Sequence, residues 1–192
     1  MNRKTLSISI LFCALFAVAC GGPSHMAEST TAITAAADKA TVVFYRPSSF
    51  GGAITSAVFD VTTPETQFLG SVKMKGKVVA QLPAGEHVFM VLGENADFSY
   101  ATLEAGKIYY MRIQVRMGVM KARFSLNPMA KSMLAEAKAD VADCTRYDKT
   151  AESDVWFQEH RADVDDKKTR YYAKWMEKPE SERPRLLATD GE

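Results

Sequence analysis

Two runs of sequence, KIYYMRIQVRM at residues 107–117 and VMKARFSL at 119–126, stand on either side of the single Gly118. Successive side chains of an extended strand point to opposite faces, so each run can be read face by face. Tyr109, Met111, Ile113, Val115 and Met117 form an apolar face of the first run, and Tyr110, Arg112, Gln114 and Arg116 form its other face. The returning run puts Met120, Ala122, Phe124 and Leu126 on one side and Lys121 and Arg123 on the other. The pattern predicts a β-hairpin turning at Gly118, with one face in a core and four cations, Arg112, Arg116, Lys121 and Arg123, on the other face.

Upstream, the same grammar repeats. TVVFYR (41–46) stops at Pro47, ITSAVFDV (54–61) stops before Pro64, and QFLGSVKM (67–74) turns near Gly76. KVVAQL (77–82), HVFMVL (87–92) and SYATLE (99–104) follow, each ended by glycine or proline signals. Short β-type runs at this spacing predict a mainly β fold, an antiparallel sandwich of the immunoglobulin or transthyretin type over residues 39–127.

Three stretches carry a family resemblance: Tyr45-Arg46-Pro47, Pro83-Ala84-Gly85-Glu86-His87, and Ala105-Gly106-Lys107-Ile108-Tyr109-Tyr110-Met111-Arg112. In this order and spacing they resemble the small β-domain of bacterial lipoproteins known as domain of unknown function 2846, over roughly residues 40–126. The Pro-x-Gly-x-His step is also similar to surface-associated β-domains of the PEGA type. The resemblance implies a β-domain borne by a lipoprotein and carries over no catalytic residue.

Downstream, Asn127 before Pro128 reads as a helix cap followed by a first-turn proline. Met133, Leu134, Ala137, Val141 and Cys144 then fall on one helical face through 129–147. A second helix is expected from Ser153 as cap to about Met176, ended before Pro179, with Phe157, Val164, Tyr171 and Trp175 aligned. Helices thus occupy 128–178, and the charged, proline-containing residues 179–192 read as a disordered tail.

The amino terminus carries an address. Arg3 and Lys4 precede an uncharged stretch from Leu6 to Ala19, too short to span a bilayer that needs about 20 residues. Phe16-Ala17-Val18-Ala19-Cys20 follows, small residues before a cysteine, and resembles the lipobox of bacterial lipoprotein signals, although Ala17 stands where leucine is commoner. The resemblance implies cleavage of a signal peptide, residues 1–19, and lipidation of Cys20, with stable membrane attachment through several acyl chains. Gly21 rather than aspartate after it implies the outer membrane, facing the periplasm. Residues 20–38 are small and nearly uncharged and read as a flexible tether.

Removing residues 1–19 takes away Arg3 and Lys4 and no acid, so a formal charge of +1 becomes −1 and nucleic-acid binding loses its simplest support. The charge is divided: residues 38–129 hold ten basic and seven acidic side chains, residues 130–192 twelve and fifteen. The four-cation face therefore has three readings: an anionic ligand such as an acidic glycan or lipid phosphate, docking of the acidic carboxy-terminal part, or a solvated sheet face.

Cys144 is the one thiol left after signal removal and lipidation, so no disulfide framework exists. Its place on the apolar helical face predicts burial. Pairing with His160 as nucleophile and base has no positioning signal. Methionines raise copper(I), but His87 and Met90 are three apart on a strand and so face opposite ways; no metal or cofactor is assigned. Trp156, Phe157, Tyr171, Tyr172 and Trp175 read as core packing before they read as a sugar or partner surface. Phosphate loops, nucleophile elbows, zincin and paired CxxC motifs are absent. The expectation is a non-enzymatic, lipid-anchored envelope module that binds or scaffolds an envelope protein or an anionic glycan or lipid. An envelope hydrolase or thiol enzyme with an unrecognised site stands as the alternative.

Overall fold

The computed structural model describes residues 25–52, 54–117 and 122–192. The expected signal peptide, Cys20, the expected turn at Gly118 and Lys121 lie outside the described residues. Two mixed sheets form the molecule. One contains β1 (Met26–Ser29), β2 (Ala40–Arg46), β5 (Gly76–Leu82), β8 (Ile108–Met117), β9 (Ala122–Pro128) and β10 (Thr145–Lys149), in spatial order β1-β10-β5-β2-β8-β9. The other contains β3 (Ser56–Asp60), β4 (Gln67–Val72), β6 (Gly85–Leu92), β7 (Ala96–Leu103) and β11 (Arg185–Leu186), in order β11-β7-β6-β3-β4. Among the described residues no helix is long and apolar enough to cross a membrane.

The sheets pack face to face, with Phe44 of β2 edge-on to Phe89 of β6 at 5.1 Å. Val42, Val58, Val91, Met111 and Ile113 fill the space around them, each fully buried. Each such aliphatic side chain contributes about 1.5–3 kcal/mol by leaving water. Each sheet also carries a helix on its outer face. Helix α1 (Leu134–Ala142) covers Val43, Tyr45 and Tyr110 of the six-stranded sheet through Ala137 and Val141. Helix α2 (Ala151–Met176) lays Phe157, Val164 and Trp175 on the five-stranded sheet, where Phe157 meets Phe59 at 5.8 Å and Trp175 meets Phe98 at 5.7 Å.

The hairpin is as read: β8 and β9 pair antiparallel, with Tyr109, Met111, Ile113, Phe124 and Leu126 in the core. The sheets are nevertheless mixed, a correction to the wholly antiparallel expectation. β2 pairs parallel with β8, β10 with β5 and β11 with β7. β2 is buried at all seven positions because a helix lies outside it and the second sheet inside, and a strand buried on both faces loses its alternation.

Five further expectations are revised. The tether is shorter than 20–38, because Met26–Ser29 pairs with β10 as an edge strand, held by main-chain bonds that composition does not report. Asn127 does not cap a helix. It is paired with Arg112 and Pro128 with Met111 in the β8–β9 ladder, and the helix begins only at Leu134, after a 3-10 turn. Proline at the end of an edge strand gives up no ladder bond, so the same dipeptide suits either role.

Residues 145–149 leave the helix to form β10, anchored by buried Tyr147. The tail 179–192 is docked: Leu186 is fully buried, and Glu192 exchanges two main-chain hydrogen bonds with Ile108, at 2.9 and 3.1 Å. The second helix starts three residues early, with Thr150 rather than Ser153 as cap. Ser153 completes a reciprocal pair by accepting from the Thr150 N–H at 2.9 Å.

Candidate functional site

Three of the four predicted cations are described, and the structure separates them. Arg112 lies under α1. Its Nη2 donates to Glu136 Oε1 at 2.6 Å and Asp140 Oδ2 at 2.8 Å, and its Nε donates to the Tyr45 hydroxyl at 3.3 Å. Glu136 and Asp140 are four apart on one helical face, so both carboxylates reach the same guanidinium. Burial opposes the Arg112 charge, but these hydrogen bonds and carboxylates outweigh it and raise its pKa further. This is docking of the acidic carboxy-terminal part onto the basic face, and it removes Arg112 from any ligand set.

Arg116 and Arg123 have no such partner. They sit directly opposite each other in the β8–β9 ladder, beyond the reach of α1, and both are exposed. Neither makes an ion pair with a described residue. Directly opposed side chains of an antiparallel pair stand about 5 Å apart at Cβ, and like charges there are destabilising. They open onto a groove of about 410 Å³ between the edge of β9 and the carboxy-terminal end of α2, where Lys174 and Lys178 supply two more cations. Tyr171, Lys174 and Trp175 share one helical face through their spacing of three and four, and Lys178 follows two residues past the helix end.

The floor of this groove is built from main chain and its caps. The free edge of β9 is closed by side chains of the β6–β7 turn region. Asn95 donates to the Phe124 carbonyl at 3.2 Å and accepts the Phe124 N–H at 3.0 Å, while Asp97 accepts the Leu126 N–H at 3.2 Å. A capped edge cannot recruit another strand, and the groove left beside it holds the four cations together with Asp97 and the exposed Glu182. Burial raises the Asp97 carboxyl, against the Leu126 N–H and the charges of Lys178 and Arg116. Lys178 stands 3.9 Å from it. Trp175, whose indole N–H has no partner among the described residues, lies in the groove wall.

The remaining polar candidates are structural. Cys144 is buried as expected, but in the turn after α1 rather than on the helix. Its sulfur lies 3.8 Å from the Arg46 carbonyl, and burial, only partly opposed by Lys77 and Lys75, pushes the thiol up to about 11. His160 instead hydrogen-bonds Trp156 O at 2.7 Å, so no activated thiol pair is assembled from these two. Arg46 is fully buried and organises the loop after β2 by donating to the carbonyls of Ile54, Phe50 and Gly51 at 2.6, 2.6 and 2.9 Å.

His87 explains the Pro-x-Gly-x-His step. Gly85 takes φ +136° at the turn, and the His87 ring reaches back to Pro83 O at 3.0 Å and across to Asp60 Oδ2 at 2.7 Å. Both ring nitrogens face acceptors, the arrangement of an imidazolium. Burial works against that charge, but the hydrogen bond and charge of Asp60, with Pro83 O, raise the His87 pKa overall. Asp60 is itself pushed up by burial and brought below the usual carboxylate range by His87 and Thr62.

His25 accepts or donates at Ser71 Oγ, 2.8 Å away, and stacks on Trp156 at 4.5 Å. Ser71 is 1 % exposed, so this contact docks the amino-terminal segment and presents no accessible hydroxyl. Trp156 and Phe157 are likewise core aromatics, packed on Phe68 at 5.2 and 5.9 Å.

No protein-family model matches the chain, and no curated protein matches it.

Proposed function

We propose that the chain is a lipid-anchored protein of the cell envelope, attached through Cys20 to the outer membrane and facing the periplasm. Its sandwich serves as a non-enzymatic binding module for a phosphate- or carboxylate-bearing envelope component. The single observation behind the ligand class is the opposed Arg116–Arg123 pair. The two arginines stand directly opposite each other with no ion pair to a described residue, at the mouth of a groove where, together with Lys174 and Lys178, they outnumber the nearby Asp97 and Glu182. Arginine presents a planar fork of donors that matches carboxylate and phosphate oxygens two at a time. An anion seated between the pair converts their mutual repulsion into two charge-assisted contacts. The anchor reading is supported by Arg3, Lys4, the apolar run to Ala19 and the small residues before Cys20.

Equilibrium dialysis of the mature protein against labelled inorganic diphosphate tests the ligand class. Arg116→Gln with Arg123→Gln is expected to weaken binding by at least about tenfold, whereas Cys20→Ala abolishes membrane attachment and leaves dialysis unchanged. Diphosphate binding that is equal in the double variant and the wild type would reject the groove.

A further inference from the structure

The amino-terminal segment is clamped closer to its acylation site than its composition suggests. Main-chain His25 O accepts hydrogen bonds from Ser153 Oγ and, at 3.1 Å, from Thr150 Oγ1. The His25 ring is held by Ser71 and Trp156, and β1 begins at the next residue. Five Cα–Cα steps separate Cys20 from His25, and a fully extended chain covers at most about 3.6 Å per step, or roughly 18 Å in all. A free tether over 20–38 would have let the domain stand off in any orientation. The clamp at His25 does not.

The surface around that clamp combines apolar side chains with charged ones, Glu94, Asp163 and Lys167 lining it as well. His25, Ile54, Ser71 and Trp156 line a common groove of about 440 Å³. Ile54 belongs to the loop that follows β2, in which Phe50 is 51 % exposed. Met74, 42 % exposed, follows β4 in the turn to β5, and a Cβ on Gly52 of the same loop would lie 2.7 Å from its sulfur. Val155, 58 % exposed, is next to Trp156. Three of the six large exposed apolar side chains among the described residues therefore belong to the Ile54 loop, to the turn that packs on that loop, and to the first turns of α2, the segments adjoining this groove. Lys73 and Lys75 flank Met74. The other end of the molecule differs. There the start of β8 is covered by the docked tail, with Lys107 Nζ and the Tyr109 hydroxyl donating to Ala188 O at 3.0 and 3.2 Å.

We infer that the end of the sandwich formed by the Phe50 loop, the Met74 turn and the His25 clamp rests on the lipid surface, held there by the five-residue leash. The partner is the bilayer carrying the acyl chains. This rests on the lipid-anchor reading. The ten residues of β8 span about 33 Å, so the tail-covered end, with Leu187, stands away from the lipid.

The test uses the full mature protein made in a lipidating bacterium and reconstituted in phosphatidylethanolamine–phosphatidylglycerol vesicles containing a nitroxide-labelled lipid. A fluorophore is placed by Phe50→Cys, Met74→Cys or Leu187→Cys, all exposed positions, while Cys144 is buried. Mass measurement of the same samples establishes acylation. The expected result is acylated protein with strong quenching at positions 50 and 74 and little at 187, a contrast lowered by a flexible Gly-Ser insert between Ser24 and His25. Acylated protein with equal quenching at all three positions, or the strongest at 187, overturns the orientation. A contrast unchanged by the insert overturns the role of the leash. Unacylated protein overturns the anchor reading itself.

Discussion

Arg112 and Arg116 lie four residues apart on one face of one strand, and they live in different chemistry. Arg112 is under a helix whose two acids and a neighbouring tyrosine satisfy it, and its side chain is 22 % exposed. Arg116 is past the end of that helix, opposite a second arginine, beside two lysines. Strand periodicity treats the two residues alike. What separates them is which remote element lies above, so a row of cations on a sheet is better taken apart residue by residue than read as one patch.

The difference can be broken by mutation, and His87 anchors the strong end of the scale because its partner is fully interior. His87→Ala leaves Asp60 buried without its counter-charge, with both side chains below 10 % exposure in the native pair. A loss of about 3–5 kcal/mol is expected in chemical denaturation. The same pair sets a pH window. The raised His87 pKa means that its contribution is complete below about 6.5 and is lost as pH rises through the folded value. The lowered Asp60 pKa means that its contribution holds above about 3.9 and is lost as pH falls through its folded value. Stability should therefore be flat between these limits, and His87→Gln should remove the alkaline decline.

Arg112→Glu comes next. It sets a third acid against Glu136 and Asp140 and should cost on the order of 2 kcal/mol, lowering Tm by roughly 4–8 °C. Combining it with Glu136→Arg should restore part of that loss, a coupling readable in a double-mutant cycle. Arg116→Gln is expected to sit at the weak end, within about 0.5 kcal/mol of wild type and on the stabilising side, because it relieves a like-charge pair. A Tm fall for Arg116→Gln matching that of Arg112→Glu would erase the distinction.

The sandwich, the hairpin and both faces of β8 were legible because they are local: alternation and turn residues are written in neighbouring positions. The helix face of Ala137 and Val141 was legible for the same reason, and Cys144 is buried although it lies two residues past the end of that helix. The parallel pairings were not, since β2 and β8 are brought together by remote chain and strand order has no local signature. β10 was hidden because Tyr147 is its one buried residue, too little for a period. Asn127-Pro128 misled because a cap signal competes with ladder partners far upstream, Arg112 fifteen residues before Asn127 and Met111 seventeen before Pro128. Of the groove, Arg116 and Arg123 were visible, whereas Lys174 suits the end of a helix by charge alone and Lys178 lies past it, so neither pointed to the sheet. The spacing of Lys174 with Tyr171 and Trp175 was the signal that could have found it.

Arginine side-chain NMR during titration with diphosphate puts the contrast to its most direct test, because Arg112, Arg116 and Arg123 report from one sample. The account predicts that the Nε–H resonances of Arg116 and Arg123 shift together and saturate, with an apparent affinity that falls as salt rises, while Arg112 stays in place between Glu136 and Asp140. Movement of Arg112 equal to theirs, or no movement at Arg116 and Arg123, would contradict it.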